Sequence, residues 1–205
     1  MTQPRPFGSV FLAAAAVIVC PLVSFANAQT YYPNTQVRIG DLPPITAKSR
    51  DPGDVLAASL KILLRDKDVC CGKNSALEDD VQRADPKSLK DVATKLRGRH
   101  LLSDGRALLV TAEFVPATSL VGGTFIGTLN DKQPLLMEWN LHLYVVYGVV
   151  YSTAYSPEGG RTDSILKIFL VNPRYSDQRR EVLFDRQTDD WGKVQGLLRL
   201  KAALQ

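Results

Sequence analysis

Glu138-Trp139-Asn140-Leu141-His142-Leu143-Tyr144-Val145-Val146-Tyr147-Gly148-Val149-Val150-Tyr151 decides how the rest of this chain is read. It is the longest β-branched and aromatic run beyond the N-terminal apolar stretch, and it is apolar on both alternating faces. That pattern predicts a strand buried on two sides. His142 is the only imidazole inside it. A second strand over 164–172 ends in Leu170-Val171-Asn172-Pro173, which sets an amide side chain at a strand end, where a site is often built.

Working outward, the flanks supply more strands. Pro134–Asn140 predicts a short strand feeding the central one, and Ser156-Pro157-Glu158-Gly159-Gly160 a hairpin turn into Ile165–Val171. Asp177–Arg180 turns the chain, Glu181–Phe184 is a further strand, and Trp191–Leu200 is the last and closes the sheet. Upstream, Asp104-Gly105 is a turn before an alternating strand over Arg106–Val115. The glycines of 116–131 predict a loop or irregular hairpin.

The N-terminal half reads as helices. Asp51 caps, Pro52 suits the first helical position, Asp54 sits in the first turn, and Leu56, Leu60, Leu63 and Leu64 share a face, so a helix is expected from Pro52 to about Asp66. A second, from Gly72 to about Arg83, places Cys71 at its start. A third begins at Asp85-Pro86, carries Leu89, Val92, Ala93 and Leu96 as its stripe and stops at Gly98. Helices first and mostly antiparallel strands after them make an α+β fold.

Residues 1–28 read as a signal peptide: Arg5 precedes the apolar Val10–Val19 run, and Ala26-Asn27-Ala28 fits the small-x-small exit before Gln29. Val19 is too bulky to precede a lipid-anchored Cys20. The apolar run is shorter than the ~20 residues of a spanning helix, so no stable membrane span is expected after processing. The mature chain is therefore expected to be exported, periplasmic or secreted. Residues 29–50, with Tyr31-Tyr32-Pro33 and Leu42-Pro43-Pro44, read as an extended arm or linker, and 51–205 as one domain.

Composition excludes some function classes. Lys and Arg number 25 against 21 Asp and Glu, and the basic residues are scattered, without the aromatic-interleaved stripe of a nucleic-acid binder. Beyond residue 28 the cysteines are the adjacent Cys70 and Cys71, which cannot staple distant segments. Together with His100 and His142 they lack the spaced pairs of a zinc site. No metal and no cofactor are implied.

The order Cys71-Gly72-x-x-Ser75-Ala76-Leu77, Ser88-Leu89, Gly105-Arg106-Ala107-Leu108-Leu109-Val110, His142-Leu143-Tyr144-Val145-Val146-Tyr147-Gly148 and Val171-Asn172-Pro173 resembles that of papain-like cysteine peptidases. Among them it is most similar to the bacterial bacteriocin-leader (C39-like) branch. The resemblance implies a papain-like fold in which Cys71 attacks, His142 is general base and then acid, and Asn172 orients the imidazole. A helix N-terminus at Cys71 would favour the thiolate. The family's upstream glutamine is missing, since none lies between Gly53 and Cys70, and Arg65 stands near its place as an oxyanion donor. Trp139, three residues before His142, would wall the substrate cleft. The reaction implied is thiol-dependent amide hydrolysis or acyl transfer.

Two other readings use the same residues. A catalytically inactive papain-like domain would bind a peptide or cell-envelope partner in the same cleft. A redox module would use Cys70 with Cys71, although the pair lacks the two-residue gap of the usual dithiol motif. Plainer roles also exist: His142 as a hydrogen-bonded core histidine, Asn172-Pro173 as a strand-ending turn, and Cys71 as a small buried hydrophobe. His100, after Arg97-Gly98-Arg99, is expected to be a solvated charge at a helix end.

Overall fold

The computed structural model describes residues 30–40, 42–64, 76–102, 105–175, 179–183 and 191–205. The expected signal peptide, Arg65, Cys70 and Cys71 lie outside them. In chain order the elements are β1 (Thr30–Arg38), α1 (Pro52–Leu64), α2 (Ala76–Arg83), α3 (Leu89–Leu96), β2 (Gly98–Leu101), β3 (Ala107–Pro116), α4 (Gly122–Asn130), β4 (Leu135–Trp139), β5 (His142–Tyr155), β6 (Arg161–Val171), β7 (Arg179–Leu183) and β8 (Val194–Leu204). Short 3-10 turns stand at Ala117–Ser119 and Trp191–Lys193. The fold is α+β, on an antiparallel sheet of order β2-β3-β8-β4-β5-β6-β7.

The stretch that decides the fold is not one strand. Asn140 and Leu141, at φ 50° and 62°, form a two-residue turn that separates β4 from β5 and sets Trp139 opposite His142. Both central residues at positive φ is the pattern that matches the twist of a tight hairpin. Asn-Leu hides it from the sequence, because glycine normally fills the second place. The two-sided burial holds beyond the turn, where Val145, Val146, Tyr147 and Val149 are all buried.

β5 is long enough to take two partners along one edge. β4 pairs with its first residues, His142 to Val146, and β1 with Gly148 to Tyr155, while β6 lines the opposite edge. The segment expected to be a free arm is therefore partly built into the sheet. Its β-structure comes from the available edge of β5, which nothing in its own alternation announces. Gly148 makes the junction possible: a Cβ there would stand 2.8 Å from the Val37 carbonyl oxygen and 3.0 Å from the Phe169 ring.

In β4, the consecutive Leu135, Leu136 and Met137 are all fully buried. Successive strand residues face opposite ways, so both faces of β4 are covered, and α1 and α4 both reach it. α1 presents Leu56, Leu60 and Leu63 to the core, and its far end meets α2, α3 and the sheet, where Leu60, Leu64, Leu77, Leu96, Val110 and Leu200 converge.

Three local expectations are corrected. Residues 122–130, expected as loop, form α4, because Phe125, Ile126 and Leu129 give one apolar face. Gly122 serves there as a contact point, since a Cβ would fall 2.5 Å from the Asp163 carbonyl oxygen. Asp85-Pro86 is a turn before α3 rather than its cap; Ser88 accepts from the Asp91 N–H as the N-cap. β8 does not close the sheet at an edge but inserts between β3 and β4.

Candidate functional site

At the N-terminal end of α1, the chain leaves a cavity of about 360 Å³ lined by Arg50, Pro52, Val55, Pro86, Lys87, Glu138, Leu141, His142, Leu143, Asn172 and Arg174. Four separate segments build it, and prolines stop three of them. Asp51 caps α1 by accepting from the Gly53 N–H at 2.8 Å, which fixes Arg50 and Pro52 at the rim. Lys87 donates its N–H to Asp85 Oδ1 in the turn before α3. The β4–β5 turn brings Glu138 and His142 together. The turn after β6 brings Asn172 and Arg174, and the Ala47 N–H holds that turn by donating to the Pro173 carbonyl at 2.8 Å.

His142 and Asn172 thus line one cavity, but they are not bonded to each other. Asn172 is 4% exposed, and its Oδ1 accepts the Arg174 N–H at 2.9 Å, the bond of an Asx turn. His142 is exposed at the rim, and its ring has no hydrogen bond among the described residues. The helix that opens onto this imidazole is α1, whose first residues are Pro52-Gly53-Asp54. Leu64 and Leu77, either side of the segment that carries Arg65, Cys70 and Cys71, meet near the other end of α1. Those three residues lie outside the described structure. Trp139 packs on Tyr144, with ring centroids 5.6 Å apart, and does not line the cavity.

The charge of the cavity is uneven. Arg50, Lys87 and Arg174 face a single carboxylate, Glu138, whose half-burial pushes its carboxyl above the ordinary glutamate range. Arg50 and Arg174 each place the guanidinium carbon 5.9 Å from the centroid of the Tyr175 ring. One aromatic ring therefore gathers two like charges. Arg174 Nε is buried and has no hydrogen-bond partner among the described residues. Two guanidinium forks lining one cavity match the oxygens of a carboxylate or phosphate.

His100 is not solvated. It is 5% exposed, with Nδ1 3.0 Å from Asp80 Oδ2 and Nε2 2.8 Å from the Leu96 carbonyl oxygen. β2 folds back on α3 directly after Gly98, so the ring turns inward and satisfies an open carbonyl of the helix end instead of reaching water.

Arg50, Lys87, Glu138, Leu141 and Arg174 escaped the sequence reading. The signal that could have found the basic ones is a shared pattern, a cation within two residues of a proline at the end of an element: Arg50-Asp51-Pro52, Pro86-Lys87 and Pro173-Arg174. Among the described residues no helix is long and apolar enough to cross a membrane. No family model matches the chain, and neither a curated protein nor a solved structure matches it.

Proposed function

We propose that this domain is a binding module, exported by its N-terminal segment, whose cleft at the start of α1 holds an anionic group of a peptide or cell-envelope partner. The observation that carries the reading is the pair Arg50 and Arg174 on one Tyr175 ring, both lining a cavity with one half-buried carboxyl. Two guanidiniums gathered on one ring repel each other, and an anion in the cavity that both line relieves that repulsion. The apolar lining supplied by Val55, Leu143 and the two prolines lowers the local dielectric and strengthens the attraction.

Calorimetry with N-acetyl-tetraalanine, whose only charge is its carboxylate, tests the proposal. Saturable binding that weakens with salt and is lost in the Arg50→Ala, Arg174→Ala double variant supports it. No heat beyond dilution, or equal binding by the double variant, refutes it.

A second proposal is the papain-like one, in which Cys71 attacks an amide with His142 as base. It draws support from the placement of His142 and Asn172 on one cavity, as that reading needs. Its test is the rate at which a thiol-reactive probe labels Cys71 near neutral pH. A rate that falls in His142→Ala supports it, and an equal rate removes it.

A further inference from the structure

Leu141 lines the cavity, is 80% exposed and sits at φ 62°, a conformation that L side chains rarely adopt. Its neighbour Asn140, at φ 50°, is a residue that tolerates this region; leucine is not. Glycine would close the same turn without strain, and an exposed leucine gains nothing from packing. Among the described residues nothing covers the side chain to offset that cost, and such outliers collect at ligand clamps. Leu141 therefore gains a partner only when something apolar covers it.

The same cavity is lined by Leu143 and Val55 and by Arg50 and Arg174. It thus offers apolar and cationic lining together, which suits a carboxylate attached directly to an apolar group. A second cavity, of about 490 Å³, adjoins it at Pro86. The second cavity mixes the carboxylates of Asp51 and Asp54 with the ammonium groups of Lys48 and Lys61 over the small Ala57 and Ala58. Two adjoining chambers, the first for an amphiphilic anion and the second for polar chain, match an extended peptide better than a small acid.

Resting on the anion-binding reading, we infer that the occupant is the free C-terminus of a peptide whose last residue is apolar. Its carboxylate lies at Arg50 and Arg174, its last side chain covers Leu141, and the preceding residues run past Pro86 into the second cavity.

The full chain is titrated with N-acetyl-trialanyl-leucine, its C-terminal amide, N-acetyl-trialanyl-serine and 4-methylpentanoate. The leucine-ended acid is expected to bind about tenfold or more tightly than the amide or the serine-ended peptide, and 4-methylpentanoate more weakly than the peptide acid. In Leu141→Gly the preference for leucine over serine collapses. The inference is overturned if the leucine and serine acids bind alike, if Leu141→Gly keeps the preference, or if 4-methylpentanoate matches the peptide. Failure of the anion-binding reading looks different: acid and amide bind alike or not at all, and the Arg50→Ala, Arg174→Ala double variant changes nothing.

Discussion

Arg50 and Arg174, one just before the first helix and the other just after the sixth strand, lie at the same 5.9 Å distance from the centroid of Tyr175. Neither has a described carboxylate partner. Replacing Tyr175 by Leu frees both guanidiniums to swing into water, so affinity for N-acetyl-tetraalanine should fall by about tenfold with little change in stability. Removing the Arg174 guanidinium costs a charge-assisted bond, expected at about tenfold to a hundredfold. Calorimetry at low and high salt measures both, and the ratio between the salts should shrink in the variants.

The turn between β4 and β5 offers a stability test that is independent of any ligand. Leu141→Gly removes the left-handed strain, worth about 1–2 kcal/mol for an L-residue, and gives back part of it through the greater freedom of glycine when unfolded. A net gain of about 0.5–1 kcal/mol is expected, seen as a rise of about 1–4 °C in Tm. A lower Tm would mean that Leu141 already packs in the free protein.

His100 ties α2 to the end of α3. In His100→Leu the ring's contacts with Asp80 Oδ2 and the buried Leu96 carbonyl are both lost. Denaturant titration should show a loss of about 1–3 kcal/mol, the cost of an unsatisfied buried group. Asp80→Asn, which keeps an acceptor for Nδ1, should cost less.

Gly148 is held by its neighbours rather than by its own torsions. A methyl group there meets the Val37 carbonyl oxygen at 2.8 Å, so Gly148→Ala must push β1 off β5 or move Phe169. An overpacking cost of about 1–3 kcal/mol is expected, with faster amide exchange at Val37 than in the parent.

Burial raises the carboxyl of Glu138, so ionising it is harder in the folded protein than in the unfolded chain. The sign follows: below the ordinary glutamate range the group is neutral in both states and has no effect. As pH rises from that range towards the raised value, the unfolded chain ionises before the folded one, so the cost of the desolvated charge grows and then levels off above the raised value. Glu138→Gln should therefore gain stability relative to the parent increasingly across that interval and keep the gain above it. It should also bind N-acetyl-tetraalanine more tightly near neutral pH, because a like charge beside the anion is gone. A stability difference that grows as pH falls would contradict this.

The helices on α1 and α3 were legible because their stripes repeat at helical spacing, and Leu89, Val92, Ala93 and Leu96 are buried as the spacing requires. The start of β5 at His142 was legible too, but the hairpin before it was not, since Asn140-Leu141 uses a torsion pattern that its residue types disguise. β1 and α4 owe their form to partners: the free edge of β5 in one case, the Asp163 backbone against Gly122 in the other. His142 and Asn172 line one cavity. The cations around them were not foreseen, because four separate segments supply the lining and only the fold brings these together.

The most direct measurement is of the arginine Nε–Hε resonances while N-acetyl-tetraalanine is added at mildly acid pH. The Arg50 and Arg174 signals, assigned by the two single alanine variants, should shift together and saturate with one binding constant, and the amide of the same peptide should leave them in place. If both signals stay fixed through a carboxylate excess, or move equally with the amide, the cleft is not an anion site.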